Sequence, residues 1–434
     1  MNYRKRIIDK TIEDTLKYMG AIYIKGCKWC GKSTTAQQFA NSFIDFSNPD
    51  EEANYQAILK EKPSLLLEGE KPRLLDEWQL GKVIWNSVKY DVDKSGLKGQ
   101  YILTGSSTPI ENNNDDLKLH PGTGRFAFLN MKPMTLYESN DSNGKISLKD
   151  IIDGKTQIDG IKSNITYEKL AYLVCRGGWP EAIDLEENQA LNISKYYIDA
   201  VVNSDASRVD GVNRNPNLLR EILKSYARNI CTIDSDESLY NDVLTNYSDV
   251  SKNTIIDYIN AIKKLLIFEE IPAWNPNIRS KTIIRTSPKK TWVDPSLACA
   301  ALNVAPKDLM LDPNTFGLMF ENMVIRDLSV YASQARGYLN FYRDRYGIEC
   351  DTVLHFDNGK YGLIEIKLSN NGISDGEKNL LKILQLIKDY NLKEENANKK
   401  LNEPDFLMII VGTDNLAYKT KDNILIVPIG CLKD

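Results

Sequence analysis

In the first third of the chain, short and nearly continuous apolar runs alternate with amphipathic or polar stretches. Residues 7–19 carry apolar side chains at helical spacing, and Ala21-Ile22-Tyr23-Ile24 follows as a short strand. Further apolar runs at 43–46, 73–75, 101–104 and 126–129 read as strands, with helical stretches predicted at 34–39 and 51–59. Strands alternating with helices predict an α/β domain built on a parallel sheet. Residues 136–165 are rich in Asn, Ser, Asp and Gly and read as a linker or insertion. Helical periodicity returns over 167–202, then at 218–229, 238–244 and 254–266. Strands are expected at 268–273 and 282–285. The final third reads as a second α/β unit. Its predicted elements are a helix at 316–330, strands at 351–355 and 361–367, a helix at 375–390, and strands at 406–411 and 424–427.

Composition narrows the class without naming a chemistry. The 434 residues suggest about three domains at roughly 100–200 residues each. Seven scattered cysteines make no disulfide framework, and no run approaches the roughly 18 apolar residues of a membrane span. A cytoplasmic protein without a membrane partner is therefore expected. The net charge of −4 neither announces nor excludes a nucleic-acid partner, because local patches decide that. With two histidines in the chain, His120 and His355, histidine triads and multi-histidine zinc sites are set aside in favour of carboxylates, lysines and Mg²⁺.

The sharpest motif joins the first strand to the following helix. Gly26-Cys27-Lys28-Trp29-Cys30-Gly31-Lys32-Ser33-Thr34 fits G-x-x-x-x-G-K-[ST] in a strand–loop–helix setting. Glycines let the backbone turn its N–H groups inward around a phosphate, Lys32 neutralises β/γ oxygens, and the Ser33 hydroxyl reaches Mg²⁺. Cys27 and Cys30 form a C-x-x-C inside this cradle, where zinc would block a nucleotide, so they are read as incidental loop residues. The strand at 73–75 ends in Asp76-Glu77, which places Asp76 to hold Mg²⁺ through water and Glu77 to polarise an attacking water. At the end of the next strand, Thr104 and Ser106 are candidates to sense the γ-phosphate. Arg125, in Gly124-Arg125, is a candidate positive charge for the developing γ-phosphate within one chain or across a subunit boundary, with Arg208 as its rival.

In this order, the phosphate loop, Asp76-Glu77, Leu103-Thr104-Gly105-Ser106 and Gly124-Arg125 resemble an AAA+-type P-loop ATPase. More narrowly, they resemble a prokaryotic family of ATP-binding proteins with a C-terminal domain of unknown function. The stretches Gly177-Gly178-Trp179-Pro180-Glu181-Ala182 and 197–210 are similar to that family's signatures. The resemblance implies ATP and Mg²⁺ as cofactors and a helical lid over 166–215, beyond the core (1–135) and the linker (136–165). The three helices and two strands of 216–304 read as a winged helix, which the family resemblance also implies. Arg279, Lys281, Arg285, Lys289 and Lys290 form a basic cluster there that suits DNA phosphates. Within 305–434, Glu321, Asp351 and Glu365-Ile366-Lys367 resemble the PD-(D/E)XK nuclease pattern. That resemblance implies Mg²⁺ on Asp351 and Glu365 with Glu321 assisting, and Lys367 beside the attacking water.

Two functions follow. One is an ATPase coupled to DNA engagement, with Mg²⁺-dependent cleavage by the last domain. The alternative is an ATP-gated switch that binds a partner, protein or DNA, without cutting it. A homo-oligomer is the natural setting for an arginine acting between chains.

Overall fold

The computed structural model describes residues 3–106, 122–233, 236–277, 280, 283, 286–393, 396, 399–413 and 416–434. The chain divides into two compact units. The first comprises Met1–Pro133, Asp205–Asn213 and Asn260–Ile267, and the second Met134–Ser204, Arg214–Ile259 and Phe268–Asp434.

The first unit holds a five-stranded sheet of β1 (Ala21–Lys25), β2 (Ser42–Asp45), β3 (Arg73–Asp76), β4 (Tyr101–Gly105) and β5 (Phe126–Asn130). The order is β2-β3-β4-β1-β5 and every pairing is parallel. The inner strands explain their own sequences: β4 is buried along its whole length, as expected of a parallel strand covered on both faces. The edge strand β5 alternates buried and accessible residues instead. Helix Val83–Ser95 lays Trp85 flat on Phe126, with ring centroids 4.0 Å apart, and Tyr23 meets Trp78 and Trp85 edge-on. All strands run the same way, so the loops after β1, β3 and β4 emerge at one edge of the sheet. This is the edge where open α/β sheets build their sites.

The second unit carries a mixed sheet. Its strands are β8 (Ala273–Trp274), β10 (Gly337–Arg343), β11 (Glu349–Phe356), β12 (Tyr361–Lys367), β13 (Phe406–Val411), β14 (Tyr418–Lys419) and β15 (Ile424–Pro428). They lie in the order β14-β15-β13-β12-β11-β10-β8. Helix Ile373–Leu392 buries Leu380, Ile383 and Ile387 in a core with Val353, Leu363, Ile409 and Ile426. Helix Pro313–Ser333 packs on β10 and β12. The unit also holds helices Pro216–Arg228 and Asp236–Leu244, the part of helix Lys252–Lys264 up to Ile259, and an antiparallel ribbon of β7 (Phe268–Ile271) and β9 (Lys289–Trp292). Phe268 stacks on Tyr226 at 3.6 Å and meets Trp292 edge-on at 4.6 Å.

Three expectations need correction. Residues 136–165 are not a free linker: β6 (Ile146–Ser147) pairs with β16 (Leu432–Lys433), and Leu148, Ile151 and Ile152 are buried. The Ser142 hydroxyl donates to the Leu432 carbonyl at 2.6 Å, so scattered polar residues serve a turn and a clasp. In the second place, the partner of β7 is β9, later than the strand expected at 282–285, where 282, 284 and 285 lie outside the described residues. Finally, a boundary at 305 cuts the sheet, because β8 comes from the region assigned to the winged helix and pairs in parallel with β10. The resulting arrangement of three helices and a ribbon is what the winged-helix reading rests on, but the ribbon is not the hairpin that was expected.

Candidate functional site

The phosphate loop leaves β1 at Lys25 and enters helix Lys32–Gln37 through Gly31, whose φ of 97° puts it in the left-handed region that favours glycine. A side chain on Gly26 would place its Cβ 2.2 Å from the Met131 carbonyl, so only glycine fits there. Lys32 is buried and donates from Nζ to the Cys27 carbonyl at 2.8 Å, closing the loop on itself. Trp29 is half-exposed with φ 61°, and Thr34 is exposed on the first helical turn. Cys27 and Cys30 are wholly buried beneath the loop, so their side chains do not face a ligand. A hydrogen bond from Cys27, together with the nearby Lys32 and Arg6 cations, brings the Cys30 thiol down to about 6.

β3 and β4 bring four more predicted residues together. Asp76 Oδ1 accepts from Ser33 Oγ at 2.9 Å and from the Thr104 hydroxyl. Glu77 stands in the left-handed region at φ 50°, and its Oε2 accepts from the Gln79 amide and from Ser106 Oγ at 3.3 Å. The hydroxyl and carboxylate oxygens of Ser33 and Asp76, beside Lys32, are the donor types a hard cation on a polyphosphate takes. These residues therefore fit a Mg²⁺–nucleotide.

Arg125 does not join this site. It precedes β5, and Phe126 pairs with Ala21 at the start of β1, so Arg125 lies at the sheet edge opposite the phosphate loop. Four residues of strand separate the two edges, roughly 13 Å at about 3.3 Å per residue. There Arg125 pairs with Asp93, which also holds Lys89 at 2.9 Å, so Arg125 cannot serve its own chain's nucleotide. Arg208 is better placed. Asp205, three residues earlier, pairs with Lys28 of the phosphate loop at 2.7 Å, and Arg208 ends the short helix Ala206–Arg208, exposed.

Sequence reasoning missed Arg6 and Gln79. Buried Arg6 donates to the Cys30 carbonyl at 2.9 Å and to the Lys132 carbonyl at 2.7 Å, bracing the loop from the N-terminal segment. An arginine bonded to two carbonyls leaves no spacing signature. Gln79 is two residues past Glu77, and proximity was its only signal.

In the second unit, Asp351 on β11 and Glu365 and Lys367 on β12 do converge. Lys367 Nζ lies 2.6 Å from Glu365 Oε2 and 3.2 Å from Asp351 Oδ2, and Asp351 Oδ2 also accepts the Ile366 N–H at 2.8 Å. Asn379 donates to Glu365 Oε1 at 2.7 Å. Burial pushes the Glu365 carboxyl up to about 8, and burial likewise raises Glu321 to about 7. Glu321, however, meets a lysine: Lys289 Nζ lies 2.7 Å from its Oε1. Among the described residues no three Asp, Glu, His or Cys side chains form a group able to hold a metal ion. Of the expected set, Asp351 and Glu365 thus share Lys367, while Glu321 is held by Lys289 instead of standing free beside them.

The basic cluster is also corrected. Lys289 and Lys290 are 1% and 4% exposed, too buried to meet DNA phosphates, while Arg279, Lys281 and Arg285 lie outside the described residues. The Gly177-Gly178-Trp179 signature is structural. The Gly178 N–H donates to Asp294 Oδ2 at 2.9 Å, its carbonyl accepts from Met134 N at 2.6 Å, and Trp179 Nε1 donates to Ser296 Oγ at 2.9 Å. Asp294 in turn pairs with buried Arg326 at 2.7 Å, and Arg326 with Asp327. No helix among the described residues is long and apolar enough to cross a membrane.

Residues 19–140 match the family of AAA domains. Residues 167–308 and 316–432 each match a domain of unknown function, DUF8612 and DUF4143 respectively. No curated protein matches the chain. Among solved structures, the chain is similar to the AMPPCP-bound DnaA from Aquifex aeolicus, at 14% identity and a TM-score of 0.28. That likeness covers 59% of this chain and 86% of that one. It is also similar to a Signal Transduction ATPase with Numerous Domains protein with a tetratricopeptide repeat sensor from Pyrococcus horikoshii. There the identity is 10% and the TM-score 0.19, over 76% of this chain and 50% of that one. The AAA match, together with the parallel sheet and phosphate loop, supports an AAA-type ATP-binding and ATP-hydrolysing core.

Proposed function

We propose that the protein is a Mg²⁺-dependent ATPase whose nucleotide cycle gates an interaction made by the second unit, without cutting the partner. The observation that carries the ATPase reading is the meeting of Ser33, Asp76, Glu77, Thr104 and Ser106 at one sheet edge beside Lys32. Lys32 would turn from the Cys27 carbonyl to the β/γ oxygens once they enter the cradle. Ser33 and Asp76 would hold Mg²⁺, which when bound screens phosphate charge. Glu77, aimed by Gln79 and Ser106, would orient the water for in-line attack. Arg208 is the proposed γ-phosphate arginine, and Arg125 remains a candidate only across a subunit boundary. The test is Glu77→Gln. ATP should still bind and turnover should drop by about 10²–10⁴, the usual worth of a positioned base. Turnover at the wild-type rate would end the reading.

The non-cutting half rests on Lys289, which holds the Glu321 carboxylate that the nuclease pattern would use beside a metal. The rival, DNA engagement with Mg²⁺-dependent cleavage, is favoured by the convergence of Asp351, Glu365 and Lys367. Plasmid nicking that requires Mg²⁺ and disappears in Lys367→Ala would establish the rival. Intact plasmid at high protein concentration supports the switch.

A further inference from the structure

The two lysines of the second cluster differ in origin. Lys367 belongs to the strand motif, but Lys289 comes from β9, which among the described strands pairs with β7. Its ammonium is 1% exposed and sits among three acidic neighbours. It donates to Glu321 Oε1 at 2.7 Å and to the Asp351 carbonyl at 3.1 Å, and Glu349 Oε1 is 3.6 Å away. The Phe341 ring closes another side, 5.6 Å from Nζ to centroid. Taking an ammonium this far out of water is costly unless nearby anions compensate it, and carboxylates buried without a cation are costlier still. The arrangement thus solves the same problem a divalent ion solves in a carboxylate cluster.

We propose that Lys289 is the resident cation of this cluster, taking the electrostatic place of a metal. The Glu321 carboxylate and the Asp351 backbone carbonyl, with Glu349 close by, thereby anchor the β7–β9 ribbon to the sheet, while Lys367 neutralises the Asp351–Glu365 pair next to them, and no divalent ion is bound. The proposal rests on the non-cutting reading and gives it a cause. Four carboxylates face Lys289, Lys367 and Arg343, the last 3.8 Å from Glu349 Oε2. Oxygens of Asp351 and Glu365 already accept from lysine, amide and backbone donors. Mg²⁺ would demand near-octahedral oxygens at about 2.1 Å, and would have to expel an ammonium to obtain them.

The experiment counts bound Mn²⁺ by electron paramagnetic resonance on the full chain without nucleotide, alongside thermal melts. Wild type and Asp351→Asn should bind equal Mn²⁺. Lys289→Met should melt about 5 °C or more below wild type, since it leaves buried carboxylates unpaired. It should also gain one Mn²⁺ per chain that restores the melt, and lose that ion when Asp351→Asn is added. If Lys289→Met does not fold, Lys289→Met/Glu321→Gln should recover a folded chain, because both charges are then gone. Three results overturn the proposal: wild type losing a bound Mn²⁺ in Asp351→Asn, a Lys289→Met chain that melts as wild type without metal, or no rescue in the double variant. Nicking lost in Lys367→Ala, by contrast, overturns the non-cutting reading by a different readout.

Discussion

Single side chains in this protein are fixed by what they touch across the fold. Lys32→Ala removes the cradle's cation and should abolish binding of a fluorescent ATP analogue. Gly178→Ala would place a Cβ 2.0 Å from the Met134 carbonyl, a backbone atom that cannot swing aside. The expected cost is about 1–3 kcal/mol or more, read as a lower denaturant midpoint. Protons give a separate check. Burial raises the Glu365 carboxyl to about 8 and that of Glu321 to about 7, above the unfolded Glu value of about 4.3. The folded chain therefore binds more protons than the unfolded one between these values. The stability this contributes is full below the unfolded value and is lost as pH rises through about 7–8. Melting temperature should fall from pH 5 to 8, and Glu365→Gln, which mimics the protonated side chain, should flatten the slope. An unchanged slope would place the titration elsewhere.

Elements were legible in the sequence wherever one period ruled. The runs at 21–24, 101–104, 361–367 and 406–411 all became strands, and residues 26–34 formed the cradle at the strand–helix joint. What stayed hidden was lateral order. Arg125 precedes β5, and the edge it occupies is fixed only once β5 is known to run parallel beside β1, with Phe126 level with Ala21. Lys289 and Lys290 read as part of a basic surface because two adjacent lysines after Ser287-Pro288 look solvent-facing, yet their strand is buried on both faces. Two-residue strands such as β6, β8 and β16 fall below any periodic signal, and they are the ones that cross the expected boundaries. The position of Arg125 yields a prediction at this scale. Arg125→Ala should keep ATP turnover within about twofold of wild type, whereas Arg208→Ala should lower it far more. A steady-state assay on both variants separates them, since an arginine on the γ-phosphate is worth about 10³–10⁵ in turnover and its loss in Arg208→Ala should approach that range. A large loss in Arg125→Ala, restored on mixing with Glu77→Gln subunits, would place that arginine at a neighbour's site.

For the whole molecule, the decisive fact is that neither unit is one continuous stretch of chain. The first takes Asp205–Asn213 and Asn260–Ile267 from the far side of long excursions, and helix Lys252–Lys264 belongs to both units along its length. A fragment of residues 1–135 would therefore lack Asp205, the partner of Lys28 in the phosphate loop, as well as Lys264 and Asp210, which approach to 3.9 Å. A fragment of 305–434 would lack β8 at the sheet edge and the Lys289 ammonium among its carboxylates. Both cuts, natural to draw from the sequence, go through shared structure. The 1–135 fragment should bind ATP at least tenfold more weakly than the full chain, and the 305–434 fragment should unfold at lower denaturant than one beginning before Phe268. Extending the first fragment only to 215 restores Asp205 and should recover part of the affinity. If the 1–135 fragment instead binds ATP as the full chain does, the returning segments are bystanders.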